Sequence, residues 1–346
     1  MKATPAESAD GITRARPAAG GATLLTTHPP VLWMHDFNLS TRGTQARRIF
    51  EAIRWRRPHV LISPTWSHRN KVLAKRLKRK LKYWALNPRR VVILANESEE
   101  IESFEAVGLR AILCNHNAMI SEQIFKPIES PKEFEAIYDA ALTPFKRHEL
   151  ARDVESLALI SYVKSTDSME VAKAARDQVP QGVLLNEPFL GATGSFEPEL
   201  VNEALNRARV GLCLSAEEGA MYASNQYLLA GLPVVTTRNT GGRDEFFDPD
   251  HVLWVDDDAK AVADGVRELA AASHDPFTIR DRTLELMRPH RERLLGLLDE
   301  LTNGNAGIWS AGWPDDVPNK LYDMTPSGKW PLFRFAVTGQ GLEEGR

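Results

Sequence analysis

The stretch "AEEGAMYASNQYLLAGLPVVTTRNTGGRD" fills residues 216–244. It follows the apolar run "VGLCLS" (210–215) and contains a second one, "LPVVTT" (232–237). Two short, continuous apolar runs on either side of a helical stretch ending at Gly231 read as strand, helix, strand in a parallel sheet covered on both faces. In open parallel sheets ligands sit beyond the carboxyl ends of the strands, so the acidic turn at 216–219 falls where binding is expected. Gly219 lets backbone approach a ligand where a side chain would collide. Glu218 offers acceptor oxygens for sugar hydroxyls, and Tyr222, Ser224 and Asn225 add polar groups at the helix start. Free N–H groups of that first turn favour an anion such as a diphosphate. Beyond the second strand, Gly241, Gly242 and Arg243 again suit phosphate. Taken without their surroundings, Glu217 and Glu218 also read as a solvated helix-capping turn, and the paired glycines as a tight turn.

Outward from this unit the same alternation repeats. Before it come "PVLWMHDF" (30–37), a helix over about 44–55, "HVLISP" (59–64), a basic helix over about 69–86, "VVILAN" (91–96) and "AILCNH" (111–116). A second series holds "EAIYDAAL" (135–142), "SLALISYV" (156–163), "GVLLN" (182–186), the two runs above and "HVLWVD" (251–256). The run at 156–163 also fits a helix end. "FKPIESPKEFE" (125–135), with two prolines and mixed charge, suits a linker. The fold expectation is α/β, two doubly wound domains facing a cleft, the first one reduced.

Length agrees, since 346 residues exceed one domain of roughly 100–200. A net charge of −3 argues against a surface built for nucleic acid. Cys114 and Cys213 lie in or beside apolar runs, which suits buried, reduced thiols in a cytoplasmic protein and no disulfide framework. No stretch approaches the roughly 18 apolar residues of a membrane span. Residues 1–29, rich in Ala, Gly, Thr and Pro, read as a disordered leader. The partition expected is 1–29 leader, 30–130 acceptor-side domain, 131–272 donor-side domain and 273–346 C-terminal helix and tail.

Residues 210–248 resemble the donor-binding half of GT-B glycosyltransferases, particularly the retaining group called family four. That family has an acidic residue, Gly, a second Glu eight positions after the first, and a Gly-x-Pro-Val-Val strand. Glu218, Gly219, Gly231, Pro233, Val234 and Val235 fall on those positions, and the string leads into Gly241–Gly242–Arg243–Asp244. The family also places a basic pair after the first strand of the second domain. "AALTPFKRHEL" (140–150) has that shape, with Lys146 on the lysine. The resemblance extends over about 115–270 and is only general before that. Two positions depart from it: Gln226 stands for the second glutamate, and Ala141 for the arginine of the basic pair. Arg147 or Arg243 would then supply the missing charge.

The resemblance implies two Rossmann-like domains in the GT-B arrangement and retaining transfer from a nucleotide-sugar donor, with no cofactor and no metal. Glu218 and Lys146 would be catalytic. Gly219, Tyr222, Ser224, Asn225, Gln226, Gly241, Gly242, Arg243 and Arg147 would hold the donor. "DDD" at 256–258 reads as a surface loop. Gly43, His35 and His68 sit at strand or helix ends facing the cleft and are expected to touch sugar or acceptor, although lone histidines are often structural. The acceptor expected is a glycan or lipid-linked glycoconjugate.

The segment 69–90 carries Leu73, Leu77, Leu81 and Trp84 at helical spacing, with lysines and arginines on the other face. It reads as a solvated basic face, as a contact with an anionic membrane surface carrying a lipid-linked acceptor, which would make the protein peripheral on a cytoplasmic face, or as a contact with an acidic acceptor itself. Nucleic acid is not expected, because no reading motif accompanies it. Trp309, Trp313, Trp330, Phe333 and Phe335 are expected to pack the tail back on the first domain, with an acceptor-binding or dimer role as the alternative. Two other functional classes stay open, a non-catalytic GT-B-like binding or scaffold protein and a sugar-nucleotide epimerase or hydrolase.

Overall fold

The computed structural model describes residues 22–37, 39, 45–164, 166–315, 317 and 319–321. The first sheet has five strands, β1 (Ala22–Thr27), β2 (Pro30–His35), β3 (His59–Ser63), β4 (Val91–Ala95) and β5 (Arg110–Leu113), in that spatial order. β2 to β5 are parallel, and β1 is antiparallel to β2. Residues 22–27 are therefore sheet and not leader. The signal was faint because "ATLLTT" alternates poorly; it is buried on both sides, Leu24 in one core and Leu25 in the other.

The second sheet is wholly parallel. It is built from β6 (Phe134–Ala141), β7 (Leu157–Tyr162), β8 (Val183–Leu184), β9 (Ala208–Cys213), β10 (Val234–Thr237) and β11 (Val252–Val255), in the order β11-β10-β9-β6-β7-β8. Between β6 and β9 the chain order reverses. Such a switch point opens a crevice at the carboxyl ends of the two strands.

Period-two alternation assigns the faces of the first sheet. Leu32, Met34, Val60, Ile62 and Ile93 pack under α1 (Gln45–Ile53), α2 (Lys71–Tyr83) and α3 (Ser98–Glu105). Val31, Trp33, Leu61, Val92 and Leu94 face the other way, onto Leu294, Leu297, Leu298 and Leu301 of the long helix α8 (Pro276–Thr302). α4 (Met169–Asp177), α5 (Pro198–Asn206), α6 (Tyr222–Leu229) and α7 (Ala259–Ala271) belong to the second sheet. α8 starts on that sheet too, with Ile279 and Met287 in its core, and changes sheets near Pro289. At 1.5 Å per residue its 27 residues span about 40 Å, enough to tie both cores together.

Trp309 continues this return onto the first sheet, its Nε1 donating to the Leu25 carbonyl at 2.9 Å, and Trp313 packs beside it. Trp330, Phe333 and Phe335 lie outside the described residues. The proline-rich passage at 125–135 is tied down: Lys126 and Ile128 donate their N–H groups to Asn202 and Asn206 of α5 at 3.0 and 2.9 Å.

Candidate functional site

Two loops meet over the switch point. The loop after β6 makes a short turn at Pro144–Lys146, and the loop after β9 carries Glu217–Gly219. Lys146 Nζ donates to Glu218 Oε1, and each side chain is only 8% exposed. Both loops are held from below. Tyr138 donates its hydroxyl to the Lys146 carbonyl, and Glu217 and Thr240 form a parallel bridge in which Glu218 N–H donates to the Thr240 carbonyl at 3.1 Å. The two residues singled out as catalytic are thus brought together as a buried ion pair.

The glycines behave otherwise than expected. A Cβ on Gly219 would lie 2.5 Å from the Thr65 carbonyl oxygen, and one on Gly242 2.5 Å from that of Asn96. Gly241, at φ +120°, would place a Cβ 1.6 Å from the Glu218 carbonyl oxygen. What approaches these glycines is protein backbone, at Gly219 and Gly242 the loops of the first domain and at Gly241 the acidic turn itself. Asparagines rivet the same seam. Asn115 Nδ2 donates to the Asn96 and Gly242 carbonyls at 2.9 and 2.7 Å, and Asn117 Nδ2 to Met221 at 2.8 Å. Asn225 joins them, donating to the Asn117 carbonyl at 3.3 Å. Trp66 reaches across as well, its Nε1 donating to Glu217 at 3.1 Å and its ring meeting Phe145 edge-on at 5.3 Å.

Both arginines expected to supply the charge lost at Ala141 are committed elsewhere. Arg243 is fully buried and donates to the carbonyls of Cys213, Ser215 and Thr237, to Thr236 and to Asp244. It locks the ends of β9 and β10 together. Arg147 donates to the Leu214 carbonyl and Thr237 and pairs with Asp257 at 2.8 Å, so the "DDD" segment is more than a bare loop. Asp258 in turn caps α7, accepting from Ala261 N–H. Ala141 itself is fully buried beside Tyr162 of β7.

The remaining expected residues divide. Tyr222 and His35 come together across the seam, hydroxyl to Nε2, at 3.2 Å. His116, which no sequence motif marks, completes an aromatic cluster with them at 4.9 and 5.0 Å between ring centres. Burial holds His35 well below its ordinary pKa, with His116 and Lys320 adding to the effect. Burial likewise pushes His116 down to about 3, so both rings are neutral near pH 7. Gln226 is buried on α6. Ser224 Oγ donates back to the Met221 carbonyl at 2.7 Å and serves the helix start. His68 turns into its own loop, Nδ1 lying 2.7 Å from the Trp66 carbonyl and its ring stacked on Phe104. Gly43 lies outside the described residues.

Asp139, on β6, is a further carboxylate of this cleft that sequence gave no reason to select. Burial raises it to about 6, opposed by the charges of Lys320 and Lys146. Among the described residues, no group of three His, Cys, Asp or Glu side chains could hold a metal ion. Among them too, no helix is long and apolar enough to cross a membrane. Cys114 and Cys213 are free and buried.

A parallel-sheet domain on each side of a ligand crevice, crossed back by a terminal helix, is the architecture of the GT-B class. Solved structures carry the same fold. Anabaena HepE, in complex with UDP and glucose, superposes with a TM-score of 0.53 at 13% identity, over 74% of this chain and 76% of that one. Trehalose-phosphate synthase of Burkholderia xenovorans, in complex with glucose-6-phosphate, gives 0.52 at 11% identity over 78% and 74%. Sucrose-phosphate synthase of Thermosynechococcus elongatus gives 0.51 at 13% identity over 77% and 76%. No protein-family model matches the chain, and no curated protein sequence matches it.

Proposed function

We propose that the protein is a glycosyltransferase moving a sugar from a nucleotide-diphosphate donor to a glycan or lipid-linked acceptor, with retention and without a metal. The observation that carries this reading is the buried Lys146–Glu218 pair at the switch point of the second sheet. A cation and a carboxylate are what a sugar diphosphate needs there. The fold is shared with proteins seen bound to UDP, glucose and glucose-6-phosphate, which supports the choice of donor.

The departing diphosphate develops negative charge as the bond to the sugar breaks. Lys146 and the N-terminus of α6 stabilise that charge. Glu218 accepts hydrogen bonds from sugar hydroxyls once the donor has taken Lys146 from it. His35 and Tyr222 line the acceptor side. The reaction runs in the cytoplasm, and α2 presents Lys75, Arg79 and Lys82 to an anionic membrane carrying the acceptor. These residues border a groove of about 810 Å³ running from Val72 to Pro88.

The second reading, a non-catalytic scaffold on this fold, is favoured by buried Ala141 and by the first-domain backbone packed on Gly219 and Gly242. A thermal-shift screen against UDP, GDP, ADP and dTDP separates the two, because a ligand that binds the folded state raises its melting point. One clear rise supports transfer and identifies the base. No rise with any of the four favours the scaffold.

A further inference from the structure

The last described residues of the chain enter the cleft. Leu321 is fully buried in the core beneath α8, and its carbonyl accepts from Thr23 Oγ1 at 2.5 Å. Asn319 Oδ1 accepts from Ser121 N–H at 3.0 Å. With both neighbours fastened to the first domain, half-buried Lys320 at φ +58° projects the other way. Its Nζ lies 3.8 Å from the centre of the Tyr222 ring, at the start of α6 in the second domain. Four titratable groups face it from separate elements: Tyr222, Asp139 on β6, His35 at the end of β2 and His116 after β5.

The geometry points to Lys320 as the second cation of the diphosphate subsite, delivered by the C-terminal segment to the mouth of the cleft. This rests on the reading of that cleft as a nucleotide-sugar site. A diphosphate needs more than one positive charge, and Lys146 shares its own with Glu218. Arg147 and Arg243 are tied to carbonyls and carboxylates, and Ala141 offers none. Lys320 and Lys146 both act on Asp139, so a carboxylate already sits in the field of the two amines, as an anion would. The N–H groups at the start of α6 add to the same field.

The Lys320 amine suits such a role. Burial lowers Lys320 to about 8, with the Asp139 charge pulling the other way. A bound diphosphate adds negative charge, raises the amine's pKa and makes it take up a proton near pH 8. Residues that only shape the cleft have no reason to do this.

The test is isothermal titration at pH 8, in two buffers of different ionisation enthalpy. The ligands are whichever of UDP, GDP, ADP and dTDP gives the largest thermal shift, and its nucleoside. Lys320→Ala is expected to weaken diphosphate binding roughly tenfold to a hundredfold, the range for a hydrogen bond to a charged group, and to leave nucleoside binding unchanged. Lys320→Arg keeps the affinity, and proton uptake disappears in both variants because arginine does not titrate there. Unchanged diphosphate affinity in Lys320→Ala overturns the inference and leaves the transferase reading standing. So does an equal loss for diphosphate and nucleoside, which would make Lys320 a support of the cleft alone. Failure of all four diphosphates to bind the wild type overturns the transferase reading, and the inference with it.

Discussion

Lys146 and Glu218, 72 residues apart in the chain, form a buried ion pair where the loops after β6 and β9 meet. Removing one member leaves the other charge buried without its partner, which costs about 3–5 kcal/mol, whereas replacing both by uncharged groups is often near neutral. Lys146→Ala is therefore expected to lose stability in urea titration, and Lys146→Met with Glu218→Gln to recover most of it. Near-neutral single variants would show that the pair is open to solvent.

The glycine at 241 is a second point of stress. Gly241→Ala must move the Glu218 carbonyl and also adopt φ +120°, so a cost above about 2 kcal/mol is expected. Gly296→Ala, inside α8 with nothing within 4 Å of a new Cβ, should instead stabilise by about 0.5–1 kcal/mol. Thermal melting of the two variants side by side checks both signs. Equal melting points would contradict the packing described at the seam.

Much of this architecture was legible because parallel strands buried on both faces are continuous apolar runs. Among the described residues, ten of eleven strands fall on such apolar runs, and β1, threonine-rich and antiparallel to its neighbour, does not. The stripe on α2 was equally readable, with Leu77 and Leu81 in the core. The site was legible only in part. A glycine announces that something comes close, but not whether it is a phosphate or the Thr65 carbonyl. An arginine in a glycine-rich loop looks the same whether it meets a ligand or, like Arg243, caps two strand ends. Asp139, His116 and Lys320 gather from three distant segments, and no local pattern marks them.

Acid should unfold the protein through its histidines. His148 is fully buried on the Tyr138 ring, and neither ring nitrogen has a hydrogen-bond partner among the described residues. Burial, then the charges of Lys146 and Arg176, push it down to about 4. Below about pH 6.5 the unfolded chain binds a proton that the folded form excludes, so stability present above that pH is lost as pH falls toward 4. His148→Leu is expected to flatten the stability profile in that window by up to about 1.4 kcal/mol per pH unit. Parallel profiles from urea titrations of wild type and variant would mean that His148 is not held neutral.

The basic face of α2 gives a further expectation. Lys78 is left alone because its Nζ donates to the Val107 carbonyl at 2.5 Å. Charge reversal at Lys75, Arg79 and Lys82 should weaken sedimentation with anionic liposomes, each charge being worth about 1 kcal/mol near such a surface. Equal sedimentation of variant and wild type would remove the membrane from the account and leave the transfer reaction untouched.

If a donor diphosphate takes Lys146 from Glu218, isothermal titration of UDP, GDP, ADP and dTDP into wild type, Glu218→Gln and the Lys146→Met/Glu218→Gln pair reads that exchange. One nucleotide should bind the wild type, bind Glu218→Gln more tightly because the lysine no longer has a charged competitor, and fail to bind the double variant. The same affinity in all three proteins, or tight binding by the double variant, would contradict the account.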